Sequence, residues 1–362
     1  MEVMDFALKA GAAALLAGAV CGGANAATMV YVSNADSKDI YVMQLNKDGS
    51  VTPVEQVQTG GTVMPLAFSP DHRRLYASLR SEPYSVTTFA VDQKSGKLKA
   101  LATVPLADNM ANLATDKSGR FLLAASYTGH KISINPISVT GLVQQDGVSV
   151  INTGKNAHAV ATDPKNHFLF VSNLGSDVIL QFKFDAATGK IAPNTPPSVA
   201  TKAGAGPRHF VFHPNLRYVF STNELDGTVN TYAYDAAQGT LTLKGTVSAV
   251  PPGFKGDAPA AADIHLTPDG RFLYASERTT STLTAYRVNV KTGELTTVGN
   301  FATETQPRGF NIDPQGKYLL AVGQKSNGMT SYAINQKTGA LKPLQHYELG
   351  KNPNWVEIVT FP

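Results

Sequence analysis

Cysteine is all but missing from this chain: among 362 residues only Cys21 is one. It lies within the first 26 residues, so a chain cleaved after Ala26 has none, and disulfides, thiol nucleophiles and Cys-ligated zinc are excluded. Charge is sparse as well, with Asp, Glu, Lys and Arg making up 16% of residues and a formal net charge of +4. No run of Lys and Arg interleaves with aromatics, which excludes nucleic acid as a partner. No Gly-x-Ser-x-Gly elbow stands out, which argues against a serine acyl-enzyme. No cluster of Asp, Glu or His falls at metal-ligand spacing, so neither a metal nor another cofactor is expected. Amphipathic helical stretches are nearly absent too, which removes helical solenoids and bundles from consideration.

The longest apolar stretch follows Lys9 and runs from Ala10 to Val20, ending in the small residues Ala24-Asn25-Ala26. It is too short for a membrane span and has the form of a secretory signal with an A-x-A cleavage site. Residues 1–26 are therefore expected to be a signal peptide, residues 27–362 the mature domain, and the location periplasmic. After cleavage no membrane association is expected. Lipidation at Cys21 is the alternative, although Gly18-Ala19-Val20 matches the required context poorly.

What is present in abundance is repetition. Strand, tight turn, strand recurs at Pro70-Asp71-His72-Arg73, Lys117-Ser118-Gly119-Arg120, Pro164-Lys165-Asn166-His167, Pro214-Asn215-Leu216-Arg217, Pro268-Asp269-Gly270-Arg271 and Pro314-Gln315-Gly316-Lys317. The first positions lie 46 to 54 residues apart, the span of a four-stranded propeller blade. A second marker, a Gly turn before an apolar residue, occurs seven times, at Gly49, Gly96, Gly141, Gly189, Gly239, Gly293 and Gly339. The missing seventh copy of the first marker is split between Met29–Asn34 and Asn354–Val359. The fold class is therefore all-β, a seven-bladed β-propeller closed by pairing of the N- and C-terminal strands. Asp71, Asp269, Asp313, His72 and His167 read as turn chemistry, with Gly or Asn expected wherever the turn needs a positive φ.

In such a ring the start of each blade's first strand and the end of its second lie on one face, the former at the central channel. Six residues before each turn stand Met64, Ala111, His158, Arg208, Ala262 and Arg308, with Asn354 in the split blade. Ten residues after it stand Arg80, Tyr127, Leu174, Glu224, Arg278 and Gln324. Register thus gathers His158, Arg208, Glu224 and Arg308 at one mouth as candidate catalytic residues. Arg278, His265, Gln324 and Tyr127 are expected as substrate contacts, whereas His209 and His213 read as packing or turn-bonding residues.

The segments Gly204–Pro214, Thr222-Asn223-Glu224-Leu225, Ala262–Gly270 and Thr303–Asn311 carry a resemblance. They resemble the propeller-type 6-phosphogluconolactonases and the related carboxymuconate-lactonising propellers. In the latter, the proposed site is a histidine, two arginines and a glutamate, which fall here on His158, Arg208, Arg308 and Glu224. The resemblance implies hydrolysis of a sugar 1,5-lactone to the aldonate, the partner being that small molecule. His158 or Glu224 would be the base, and the arginines would hold the oxyanion. Export favours an unphosphorylated aldonolactone such as gluconolactone, with 6-phosphogluconolactone second. A non-catalytic exported binding propeller and a muconate-type cycloisomerase are the alternatives.

Overall fold

The structure is a computed structural model that describes residues 27–361. The expected signal peptide lies outside the described residues. Among the described residues, twenty-eight strands form seven four-stranded antiparallel sheets, each built from consecutive strands except one. That one pairs Ala27–Asn34 with the final strand Pro353–Phe361, which becomes its innermost strand. This is blade 1, and blades 2 to 7 cover 63–105, 110–152, 157–200, 207–248, 261–302 and 307–348 in order. Both chain ends are thereby consumed in one ladder, and no sheet edge is left at the ring closure.

No single core holds the disc. Seven hydrophobic clusters occur, one at each junction between neighbouring blades. The junction of blades 4 and 5, for example, buries Phe168, Phe170 and Ile179 against Val219, Tyr232 and Tyr234. The strands alternate faces, and both faces of the inner strands are covered, so these strands read as apolar runs such as Phe168–Asn173. Tyrosines latch one blade to the next: the hydroxyls of Tyr31, Tyr76 and Tyr274 donate to the carbonyls of Gly96, Gly141 and Gly339 at 2.7, 2.9 and 2.8 Å.

The Gly marker is the hairpin between the third and fourth strands of each blade. At Gly239, φ is +67° and an added Cβ would lie 2.1 Å from the Phe168 ring, so the blade 4–5 contact needs glycine twice over. In the first-marker turns, carboxylates stitch the backbone as expected: Asp313 accepts from the amides of Lys317 and Tyr318, both at 2.6 Å. Asp71 and Asp269 do the same for Arg73 and Arg271 at 3.0 Å. The expectation of Gly or Asn at positive φ fails at His72 and Leu216, which adopt φ of 56° and 57°. There the flanking turn bonds, His72 to Ser69 and Leu216 to His213, hold the conformation against its intrinsic cost.

Candidate active site

Each innermost strand carries a register shift at its channel-mouth end. The ladder jumps over His158 between Ala157 and Ala159, over Arg208 and His209 between Pro207 and Phe210, and over Arg308 between Pro307 and Gly309. Met64, Ala111, Ala262 and Asn354 are skipped in the same way. All seven positions picked out by repeat register are thus bulged residues. A bulge frees a residue from the alternation of the pleat and re-aims its side chain, which is why these side chains converge on the channel mouth.

Around the mouth the charged groups interlock. Arg208 donates from Nε to Glu224 Oε2 at 2.7 Å and from Nη1 to the Ala262 carbonyl at 2.9 Å. Arg278 reaches the other oxygen, Glu224 Oε1, from Nη2 at 2.9 Å, and its Nε donates to the Ala260 carbonyl at 3.0 Å. Burial works to raise the pKa of Glu224, but Arg208, Arg278 and Arg308 outweigh it and hold the carboxyl below its ordinary value. Glu224 is therefore an ionised, doubly anchored carboxylate and a weak base.

Arg208 is wholly inaccessible, with side-chain exposure of 0% against 19% for Glu224. Its burial brings it down to about 10, an effect that Glu224 opposes. Arg208, expected to hold an oxyanion, is thus sealed from solvent, with Glu224 between its Nε and the open cup. Arg308, by contrast, is half-buried and has no hydrogen-bond partner among the described residues. Burial, then Arg208, Arg278 and Arg80, pushes its pKa well down. Arg80 completes the cationic ring, bonded through Nε to Asn109 Oδ1 and through Nη1 to the Met64 sulfur at 3.1 Å.

His158 is 4% exposed and meets the Tyr127 ring edge-on at 5.8 Å. Burial first, then Arg208, His209 and Arg308, drives its pKa well below the usual imidazole value, so the ring is neutral at pH 7. Two expected contacts are engaged by protein groups. Gln324 spends its amide on Asn352 Oδ1 at 2.8 Å. His265 sits down the channel rather than at the mouth, against Phe310 at 5.0 Å and 3.3 Å from Asp263 Oδ2.

Below the mouth the channel widens into a cavity of about 160 Å³, lined by Asn112, His209, Asp263, His265, Trp355 and Glu357 among others. His209, expected as a packing residue, is buried in this layer and its Nδ1 also bonds Asp263 Oδ1 at 2.8 Å. Register counting does not reach the pair, because Asp263 and His209 each stand one residue past the compared position, in bulges that skip two residues rather than one. His213 does bond its turn, through Nε2 and the Gly270 carbonyl at 3.1 Å.

A family model described as a seven-bladed β-propeller lactonase matches residues 27–358. A 6-phosphogluconolactonase of Pectobacterium carotovorum is 40% identical over 331 residues, covering 91% of this chain and 98% of the relative. One from Serratia proteamaculans is 39% identical over 336 residues, with coverage of 91% and 98%. Among solved structures, the periplasmic gluconolactonase of Pseudomonas aeruginosa superposes with a TM-score of 0.85 at 27% identity, covering 93% of this chain and all of that one.

Proposed function

The chain belongs to the seven-bladed β-propeller lactonase family and is a lactone hydrolase; on that premise we propose that its cup opens the 1,5-lactone of a sugar acid bearing an anionic group, of which the 6-phospho form is the type. The observation that carries this reading is the excess of cation at the mouth. Glu224 is matched by Arg208, and Arg278, Arg308 and Arg80 then face it with no further carboxylate among their bonded partners. A neutral sugar lactone would leave that charge uncompensated until the transition state, whereas a phosphate engages it from the start.

His158 is the base in this reading. It takes a proton from water, and the water oxygen bonds to the lactone carbonyl carbon. Arg308, whose guanidinium has no protein partner among the described residues, meets the carbonyl oxygen as it becomes an oxyanion. On collapse the bond from that carbon to the ring oxygen breaks, and the ring oxygen receives the proton held by His158. One water is consumed, one hydroxy acid is made, and the acid proton leaves to solvent. Glu224, pinned by two arginines, accepts a sugar hydroxyl and sets the ring's orientation.

The unphosphorylated gluconolactone is the second reading, favoured by the signal-like sequence of residues 1–26 and by the likeness to the periplasmic gluconolactonase of Pseudomonas aeruginosa. Acid release from both lactones, measured at mildly acidic pH where spontaneous opening is slow, separates them. The phosphorylated substrate is expected to have the higher kcat/KM. A preference for the unphosphorylated one, with Arg80→Met leaving it unaffected, would overturn the anionic reading.

A further inference from the structure

Three neighbouring side chains in the channel wall form a line, of which the cup chemistry uses only His158. Asp263 and His209 sit in the two-residue bulges of adjacent blades, and His158 sits in the bulge of the blade before them. Asp263 accepts from His209 Nδ1 at 2.8 Å, and it is itself fixed by the amides of Ile264 at 3.0 Å and Phe310 at 3.2 Å. Since an ionised carboxylate only accepts, His209 carries its proton on Nδ1 and presents a bare lone pair at Nε2. That Nε2 is sealed from solvent and has no partner, and so is Nδ1 of His158. The two rings are neighbours, with centres 5.2 Å apart. An in-line N–H···N bond of roughly 2.9 Å between two imidazoles places the ring centres at about that separation. Two buried orphans on adjacent rings, one an acceptor and the other able to donate, satisfy each other at the cost of a small rotation, and leaving both unmet is expensive.

We propose that Asp263 and His209 are positioning residues that act through His158, fixing its proton on Nδ1 so that Nε2 is the nitrogen free to take a proton from water. The relay rests on the reading of His158 as base. Both rings are neutral as it requires: burial and Arg208 bring His209 down to about 4, and burial with Arg208 does the same in direction for His158. Asp263 stays ionised because His265 and His209 outweigh the burial that would protonate it. Without this chain the neutral His158 would divide between two tautomers, only one of which can act.

The test is nitrogen-15 NMR of histidine-labelled full-length protein, together with steady-state kinetics on the preferred lactone. Wild-type His158 is expected to show a protonated Nδ1 and a bare Nε2. Asp263→Asn offers His209 a donor in place of an acceptor and is expected to move His158 toward the opposite tautomer. It should lower kcat by at least about tenfold while KM stays within about twofold. His209→Leu should do likewise, and combining either change with His158→Gln should cost no more than His158→Gln alone. Should Asp263→Asn fail to fold, since it also holds two backbone amides, the wild-type tautomer and His209→Leu still decide. A wild-type His158 protonated on Nε2 would overturn the relay, as would wild-type kcat in both variants while His158→Gln is inactive. Wild-type kcat in His158→Gln would instead remove the base reading on which the relay stands.

Discussion

Arg208 and Glu224 meet at 2.7 Å with the guanidinium fully buried and the carboxylate partly open to the cup. The pair is therefore asymmetric: one partner has no water to fall back on. Removing the charge of Glu224 strands a buried cation, which costs on the order of 3–5 kcal/mol when a buried pair is broken from one side. Glu224→Gln is accordingly expected to lose about that much stability in chemical denaturation. Arg208→Met combined with Glu224→Gln should recover most of it, since an apolar residue suits the site once the carboxylate is gone. Neither variant should retain more than about a hundredth of wild-type kcat/KM, because the doubly anchored acceptor is lost in both.

Arg308 stands in the opposite relation to its surroundings. It has no bonded partner among the described residues, and Arg208, Arg278 and Arg80 repel it. Arg308→Met is expected to unfold at the same temperature as wild type or higher, while kcat falls about 100-fold. The same change removes one of the cations that depress His158. The acid limb of kcat/KM, which in wild type lies below the ordinary imidazole range, should then move to higher pH. A limb that stays in place would separate His158 from the proton transfer.

Glu357 in the channel cavity gives stability a pH dependence of its own. Burial raises it from 4.5 to about 7, against the opposing pull of Trp355 and His265. The folded protein therefore holds a proton that the unfolded chain gives up, and stability falls as pH rises from about 4.5 through about 7. Glu357→Gln should unfold at a higher temperature than wild type at pH 8, with the difference shrinking toward pH 4.5. An equal difference at both pH values would place the effect in packing rather than in ionisation.

Two glycine substitutions distinguish backbone strain from collision. Gly253 and Gly239 have φ of +78° and +67°, but an added Cβ at Gly253 meets nothing within 4 Å, whereas at Gly239 it meets Phe168. Gly253→Ala should cost roughly 1 kcal/mol, the strain of a left-handed alanine. Gly239→Ala should cost about 3 kcal/mol, because the blade 4–5 contact must also shift. Equilibrium unfolding of the two variants measures the difference.

The propeller was legible because its period is written in turn residues, whose types are dictated by local dihedrals and survive whatever else changes. His158, Arg208, Glu224 and Arg308 were legible for the same reason, since counting from the turn fixes the face on which a residue emerges. Depth was not legible. Nothing in the register shows that Arg208 is sealed while Arg308 is half open, because that depends on how neighbouring blades fill the space between them. His265, expected as a substrate contact, lies three residues farther along the strand than Ala262, in the layer that lines the cavity. His209 and Asp263 went unread because the comparison used one position per blade, and a two-residue bulge delivers two side chains to the channel. A histidine and an aspartate at the same offset in adjacent repeats, His209 five before Pro214 and Asp263 five before Pro268, was the available signal.

The seven bulges also bear on how such a molecule can change. A residue that contributes no rung to the ladder can be exchanged without disturbing the hydrogen bonds of its sheet, and the seven junction clusters do not depend on it. Met64, Ala111, Ala262 and Asn354 already hold three quite different side chains at four equivalent places. Apart from Arg208, which is tied to Glu224, the mouth is in effect a set of variable letters on a scaffold largely indifferent to their spelling, so new specificities lie a few substitutions away.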